Sequence, residues 1–144
     1  MSNYAPPDPN DILAGGGKSA KFPTIGTTVE GTVVDFVTSQ QTSIDGELLT
    51  WDDGTPRWQI VVTLQTAERE DDADDGLRKM YCKGNLLTEL KAAVKASGEK
   101  LAVGGSIKAQ YHADGEAKRG YTAPKLYKVR YTPAPARSVD LEDF

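Results

Sequence analysis

The sequence predicts an all-β fold: a five-stranded barrel with one helix between its third and fourth strands. Three observations predict it. Short stretches with the two-residue alternation of half-buried strands recur along residues 24–131. A single stretch, "NLLTELKAAVKASGEK", carries apolar residues at helical spacing instead. Clusters of Gly, Pro and Asp separate these stretches, as turns require.

The first strand is "TTVEGTVVDFVTS", β-branched and apolar on both faces, with Gly31 inside. That composition suits a long strand bent at a glycine and serving the barrel twice. "QQTSIDGELLTWDDGTP" follows, with turn signals at Asp45-Gly46 and Asp53-Gly54. In the second strand, "RWQIVVTLQT", Trp58, Ile60, Val62 and Leu64 share one face, which makes Trp58 a core residue. The run "EREDDADD" at 68–75 has no periodicity and reads as a flexible loop. "GLRKMYCKG" is a shorter third strand. In the helix Leu86, Leu90, Ala93 and Val94 form the apolar stripe, Asn85 is the expected N-cap and Gly98 the expected stop. "GSIKAQYHADG" and "KLYKVRYT" alternate again, joined by the loop "HADGEAKRGYTAP". Three strands, a helix and two strands, with the first strand long and bent, is the order of the OB-fold. Another small β-barrel or sandwich with one capping helix is the competing architecture.

Outside this domain, residues 1–23 are rich in Pro, Gly, Asn and Ser and read as a flexible arm. Residues 132–144 read as a disordered "TPAPA" spacer and an acidic tail, "RSVDLEDF". Such a tail shows no apolar periodicity, and its acids stand next to an aromatic that carries the terminal carboxylate.

Composition narrows the function. Cys82 is the only cysteine and His112 the only histidine. An intramolecular disulfide, a cysteine-based zinc site and a histidine-pair metal site are therefore excluded. No stretch approaches the roughly 18 apolar residues of a membrane span, and the N-terminus lacks the basic and apolar regions of a signal peptide. A cytoplasmic protein is the expectation. "GGGKSA" lacks the phosphate-loop spacing, because Ile12 stands where the leading glycine belongs. A metal-dependent nuclease would need carboxylates fixed on rigid elements, and Asp71, Asp72, Asp74 and Asp75 fall in the loop. The chain is read as a binding protein rather than an enzyme, with no cofactor and no metal.

The net charge of −4 hides a sorted distribution. Residues 76–131 hold 12 basic and 4 acidic side chains, net +8, while residues 1–67 are net −5. A basic segment in an acidic protein points to an anionic ligand. In the third strand Lys79, Tyr81 and Lys83 alternate with Met80 and Cys82, so an exposed tyrosine stands between two lysines. That is a base-stacking platform with phosphate contacts beside it. Lys108 on the fourth strand, Lys128 and Arg130 on the fifth, and Lys118, Arg119, Tyr121 and Lys125 in or beside the loop between them add cations and an aromatic. Trp51 and Arg57 do the same from the loop between the first two strands. In OB-folds the second and third strands and these two loops form the ligand face.

The stretch "AKFPTIGTTVEGTVVDFVTSQQT…LTWDDGTPRWQIVVTLQT" and the "DLEDF" ending resemble phage-encoded single-stranded DNA-binding proteins, those of actinobacterial phages in particular. The resemblance covers about residues 11–131 plus the tail, and omits the "LNKV"-type opening of the bacterial housekeeping proteins, so their tetramer is not carried over. It implies a protein that coats single-stranded DNA without sequence choice in replication or recombination. It also implies that Asp140, Leu141, Glu142, Asp143 and Phe144 recruit partner enzymes, and it leaves room for a homo-oligomer. The competing classes are a phage protein-interaction module whose basic face takes an acidic partner and a small nuclease.

Overall fold

One sheet and one helix account for the described residues, 18–135, of the computed structural model. In chain order the elements are β1 (Lys18–Ser19), β2 (Thr28–Gln40), β3 (Trp58–Gln65), β4 (Leu77–Cys82), α1 (Gly84–Ser97), β5 (Ser106–Asp114) and β6 (Lys125–Thr132). The sheet order is β1-β4-β3-β2-β5-β6, antiparallel throughout except for the parallel pair β1–β4. The mostly β class and the position of the helix match the expectation.

The closed five-stranded barrel does not appear: the sheet is open and has a sixth strand. The free edge of β4 takes Lys18 and Ser19 opposite Arg78 and Lys79, and Ala20 N–H donates to Lys79 O at 2.8 Å. β6 lies against α1. No ladder joins β4 to β6; side-chain contacts from α1 and from the segment after β1 reach β6 instead. Asn85 Nδ2 donates to Lys125 O (3.0 Å), Lys125 Nζ donates to Phe22 O (2.7 Å), and the Phe22 ring meets Tyr127 edge-on at 5.2 Å. Closure would need edge groups on β4 that the N-terminal residues have already taken. Residues 18–23, expected in the arm, therefore belong to the domain, with Phe22 in its core. The rest of the arm, residues 1–17, lies outside the described residues.

β2 serves two neighbours, as its composition predicted. It pairs with β5 over Thr28–Thr32 and with β3 over Thr32–Gln40, with a register shift between Val33 and Asp35. A Cβ at Gly31 would stand 2.6 Å from Gln65 O, so the close approach of the two strands there demands glycine. The core collects Val29, Val33, Val62, Leu64, Met80 and Ile107 from the strands and Leu86 and Leu90 from α1. Cys82 joins them. Burial pushes its thiol up to about 12, so it packs as a small apolar group. α1 stops at Gly98, whose φ of 75° continues the chain in the left-handed region. It begins two residues earlier than expected. Lys83 is the N-cap and makes no side-chain cap, while the Asn85 amide is spent on Lys125 O.

Two further expectations fail. Trp58 is 53% exposed, not core. It shares a face with Val62 and Leu64, but it is the first residue of β3, opposite Gln40, at the end of the strand away from the buried Val62 and Leu64. The acidic run is not featureless either. The Asp74 carboxylate is buried and accepts from Arg78 Nη1 (2.9 Å) and Nη2 (2.7 Å) and from the backbone N–H groups of Glu70 and Gly76 (both 2.8 Å). Arg78 and those two N–H groups hold the Asp74 carboxyl well below the usual carboxylate range. No helix among the described residues is long and apolar enough to cross a membrane.

Candidate nucleic-acid interface

The outer wall of the sheet and two loops beside it carry the residues singled out above, the tail excepted. Alternation along β4 buries Met80 and Cys82 and turns Tyr81 outward, 43% exposed. The ladder sets Tyr81 opposite Val61 and Val61 opposite Val37, so a row of apolar side chains crosses three strands. The next row is Asp35, Thr63 and Lys79, one acid and one cation flanking a buried threonine. Lys83 follows β4. Together with Tyr81, Asn85, Pro124, Lys125 and Tyr127 it lines a groove of about 430 Å³ between the end of β4 and the start of β6. Lys125 is committed within this groove: besides its bond to Phe22 O, its ammonium lies 5.0 Å from the centre of the Tyr111 ring.

The loop between β2 and β3 folds back on itself. Turns at the two predicted Asp-Gly pairs close through Gly46 N–H to Ser43 O and Gly54 N–H to Trp51 O, both 2.9 Å. Asp53 Oδ1 accepts from the Thr55 hydroxyl (2.6 Å) and backbone N–H (2.9 Å), bonds that hold its carboxyl below its ordinary value. On this scaffold the Arg57 guanidinium sits 4.4 Å from the Trp51 ring centre, and its Nε donates to Thr50 O (3.1 Å). One face of Trp51 is thus covered by a cation, and the side chain remains half exposed.

A second basic group lies at the other side of the sheet. Lys108 stands opposite Arg130, and Gln110 opposite Lys128. All three cations are exposed and line a shallow depression of about 260 Å³. Glu30 faces Lys108 in the ladder, yet among the described residues the ion pairs join only Lys18 and Arg78 to Glu68, Glu70 and Asp74. Lys118, Arg119 and Tyr121 are exposed in the loop before β6, where Tyr121 N–H donates to Lys118 O at 2.9 Å.

The structure therefore gathers the predicted residues into groups rather than one patch. Tyr81 joins Lys83 and Lys125, Trp51 joins Arg57, and Lys108 joins Lys128 and Arg130. Sequence reasoning missed Val37, Val61, Trp58 and Tyr127. For Val37 the signal is the doubly apolar run "TVVDFVTS", whose pattern fits barrel lining equally well. For Trp58 the signal was its place as first residue after a proline-containing turn. The tail residues Asp140, Leu141, Glu142, Asp143 and Phe144 lie outside the described residues. Among the described residues no group of three His, Cys, Asp or Glu side chains is placed to hold a metal ion.

These positions set one expected result. Tyr81→Ala lowers the affinity for an oligo-dT by about 1–3 kcal/mol, the worth of one stacked base. Trp58→Ala changes stability by no more than about 0.5 kcal/mol, as at other exposed sites, rather than opening a core cavity. Thermal melts and fluorescence-anisotropy titrations of both variants check this. A large melting shift for Tyr81→Ala would mean that the faces are inverted. Comparison with family models, with curated proteins and with solved structures returns no match for this chain.

Proposed function

We propose that this protein binds single-stranded DNA without sequence choice, coats it during phage replication or recombination in the host cytoplasm, and catalyses no reaction. The observation that carries the reading is Tyr81, exposed on a strand between two lysines, at a groove that also holds Tyr127. An exposed ring of this kind stacks on a splayed base, and the cations beside it follow the phosphates. Trp51 backed by Arg57 supports the same reading. So do Lys108, Lys128 and Arg130, which form no ion pair among the described residues. The order β4-β3-β2-β5-β6, with the helix between β4 and β5, supports an OB-type sheet left open between β4 and β6. Affinity arises from counterion release and from stacking that only unpaired bases offer.

A gel shift with poly-dT at low and moderate salt, beside a blunt duplex, tests the reading. Poly-dT shifts first, and its affinity falls as salt rises. Equal affinity for duplex and poly-dT sinks it and favours an acidic protein partner for the basic face.

In the same reading the tail is a bait. Phe144 enters an apolar pocket with a basic rim on a replication or recombination enzyme, and the neighbouring acids steer the encounter. Deleting residues 138–144 abolishes pull-down of such partners and leaves poly-dT affinity at low salt equal or higher. A Phe144→Ala variant that still recruits every partner would remove this role.

A further inference from the structure

β4 and β6 wall the Tyr81 groove, and among the described residues no ladder joins them. Four antiparallel steps lead from one to the other, so the two strands run in the same direction. Both turn backbone groups into the gap. Ala20 N–H donates to Lys79 O, so Lys79 and, two residues on, Tyr81 aim their N–H and C=O groups off the sheet. Pro124 O accepts from Gly115 N–H, whereas Lys125 O accepts from the Asn85 amide. Lys125 and Tyr127 therefore aim their groups off the opposite edge. Unpaired edges are templates for pairing, and residues 18–27 keep these two apart. This strap is fixed at both ends. Lys18 and Ser19 pair with Arg78 and Lys79 on β4. At the other end Gly26 N–H donates to Tyr111 O (2.6 Å) and Tyr111 N–H donates to Thr27 O (3.0 Å). Between the ends Lys21 and Pro23 are exposed and Phe22 is buried. Pro23 has no N–H with which to carry a ladder on toward β6.

We propose that this strap is the positioning element of the groove: Phe22 wedges β4 and β6 apart and sets the Tyr127 ring across from Tyr81, so that docking of the strap and binding of the ligand are one coupled equilibrium. The inference rests on the reading of the groove as the single-stranded DNA site. Phe22 does not line the groove, but it touches two residues that do. Its ring meets Tyr127 edge-on at 5.2 Å, and Tyr127 leans on Tyr111 at 6.2 Å. Its carbonyl accepts from Lys125 Nζ at 2.7 Å. Lys125 is in this account a tie between strap and β6 rather than a phosphate contact, because its ammonium is shared between Phe22 O and the Tyr111 ring. Without the wedge Tyr127 loses the ring that orients it, and nothing but the Asn85 bond then spaces the two walls. A base stacked in the groove selects the docked strap, and by linkage it holds the strap down by the factor that the strap adds to its affinity.

Amide exchange of the full, unaltered chain with and without saturating oligo-dT tests it. The amides of Ala20 and Gly26, bonded at the two ends of the strap and outside the groove lining, report its local opening. With oligo-dT both slow by about 10-fold, a coupling of ordinary size between two sites. The Gly98 amide, at the end of α1, is the control and keeps its rate. Unchanged exchange at Ala20 and Gly26, or equal slowing at Gly98, overturns the proposal. Substitution gives the second readout. Phe22→Ala lowers the affinity for oligo-dT by about 10-fold, and Phe22→Leu, which keeps an apolar wedge, recovers most of it. In a Tyr127→Ala background Phe22→Ala costs no further affinity, because the ring it sets is gone. A wedge that serves stability alone lowers affinity equally in both backgrounds, and that result overturns the proposal. Should Phe22→Ala lose its circular-dichroism signature, the exchange rates of the unaltered chain decide. An unaltered protein that does not bind oligo-dT removes the DNA reading and this inference with it, whereas binding with unchanged strap exchange removes this inference alone.

Discussion

Replacing Lys108, Lys128 and Arg130 together by glutamine lowers the affinity for poly-dT at low salt by about 100-fold. Each is an exposed cation, and none is spent in an ion pair among the described residues. A phosphate contact of about 1 kcal/mol at each of three positions amounts to roughly two decades in affinity. The salt dependence gives the sharper readout. Single-stranded binding loses about 0.7 in log–log slope per phosphate contact, so the slope falls by about 2. Neutralisation is preferable to reversal. Glu30 and Arg130 flank Lys108 in one row, and glutamates at 108 and 130 would set three acids side by side. The melting temperature stays close to that of the unaltered protein. An unchanged slope would show that these cations do not touch the phosphates.

Asp74→Asn destabilises the domain more than any substitution on its outer wall. It leaves the Arg78 guanidinium, side chain 5% exposed, without its buried counter-charge. The substituted amide also places a donor nitrogen where the carboxylate of Asp74 accepts four bonds. Removing both charges, by combining Asp74→Asn with Arg78→Met, recovers part of the loss, which a double-mutant cycle in urea measures. The pair also makes stability depend on pH in a defined direction. The Asp74 carboxyl titrates lower in the folded protein than the unfolded value near 3.9. Its contribution is therefore complete above that value and is lost as pH falls through it toward the lower folded value. Urea midpoints measured on acidification below about pH 4 fall for the unaltered protein, and this part of the slope is absent in the variant. A pH profile identical in both would show that Asp74 is not the responsible group.

Local chemistry was legible residue by residue. The alternation Lys79-Met80-Tyr81-Cys82 predicted which side chains face out, because successive strand residues must point to opposite faces. Gly98 marked a helix stop and the Asp-Gly pairs the turns, each because backbone geometry limits which residues fit; Gly31, expected at a bend, sits where two strands approach closely. The same rules could not give Trp58 its depth. Alternation names a face but not how far the opposing layer extends over it. They also could not see the Asp74–Arg78 pair. An acid beside five others looks solvated until the loop folds one of them against an arginine on β4.

By itself, then, the sequence determined the order of the five longer strands and the helix, and the alternation along β4 that turns Tyr81 outward. Those are properties of neighbours along the chain, enforced by short-range sterics and by apolar burial. Only the tertiary structure decided that Lys18–Ser19 takes the edge of β4, that the sheet stays open between β4 and β6, and that the predicted cations fall into separate groups. Edges and groups are contacts between residues many positions apart. Which of them form depends on what else competes for the same N–H and C=O groups, and that competition leaves no periodic trace in the chain.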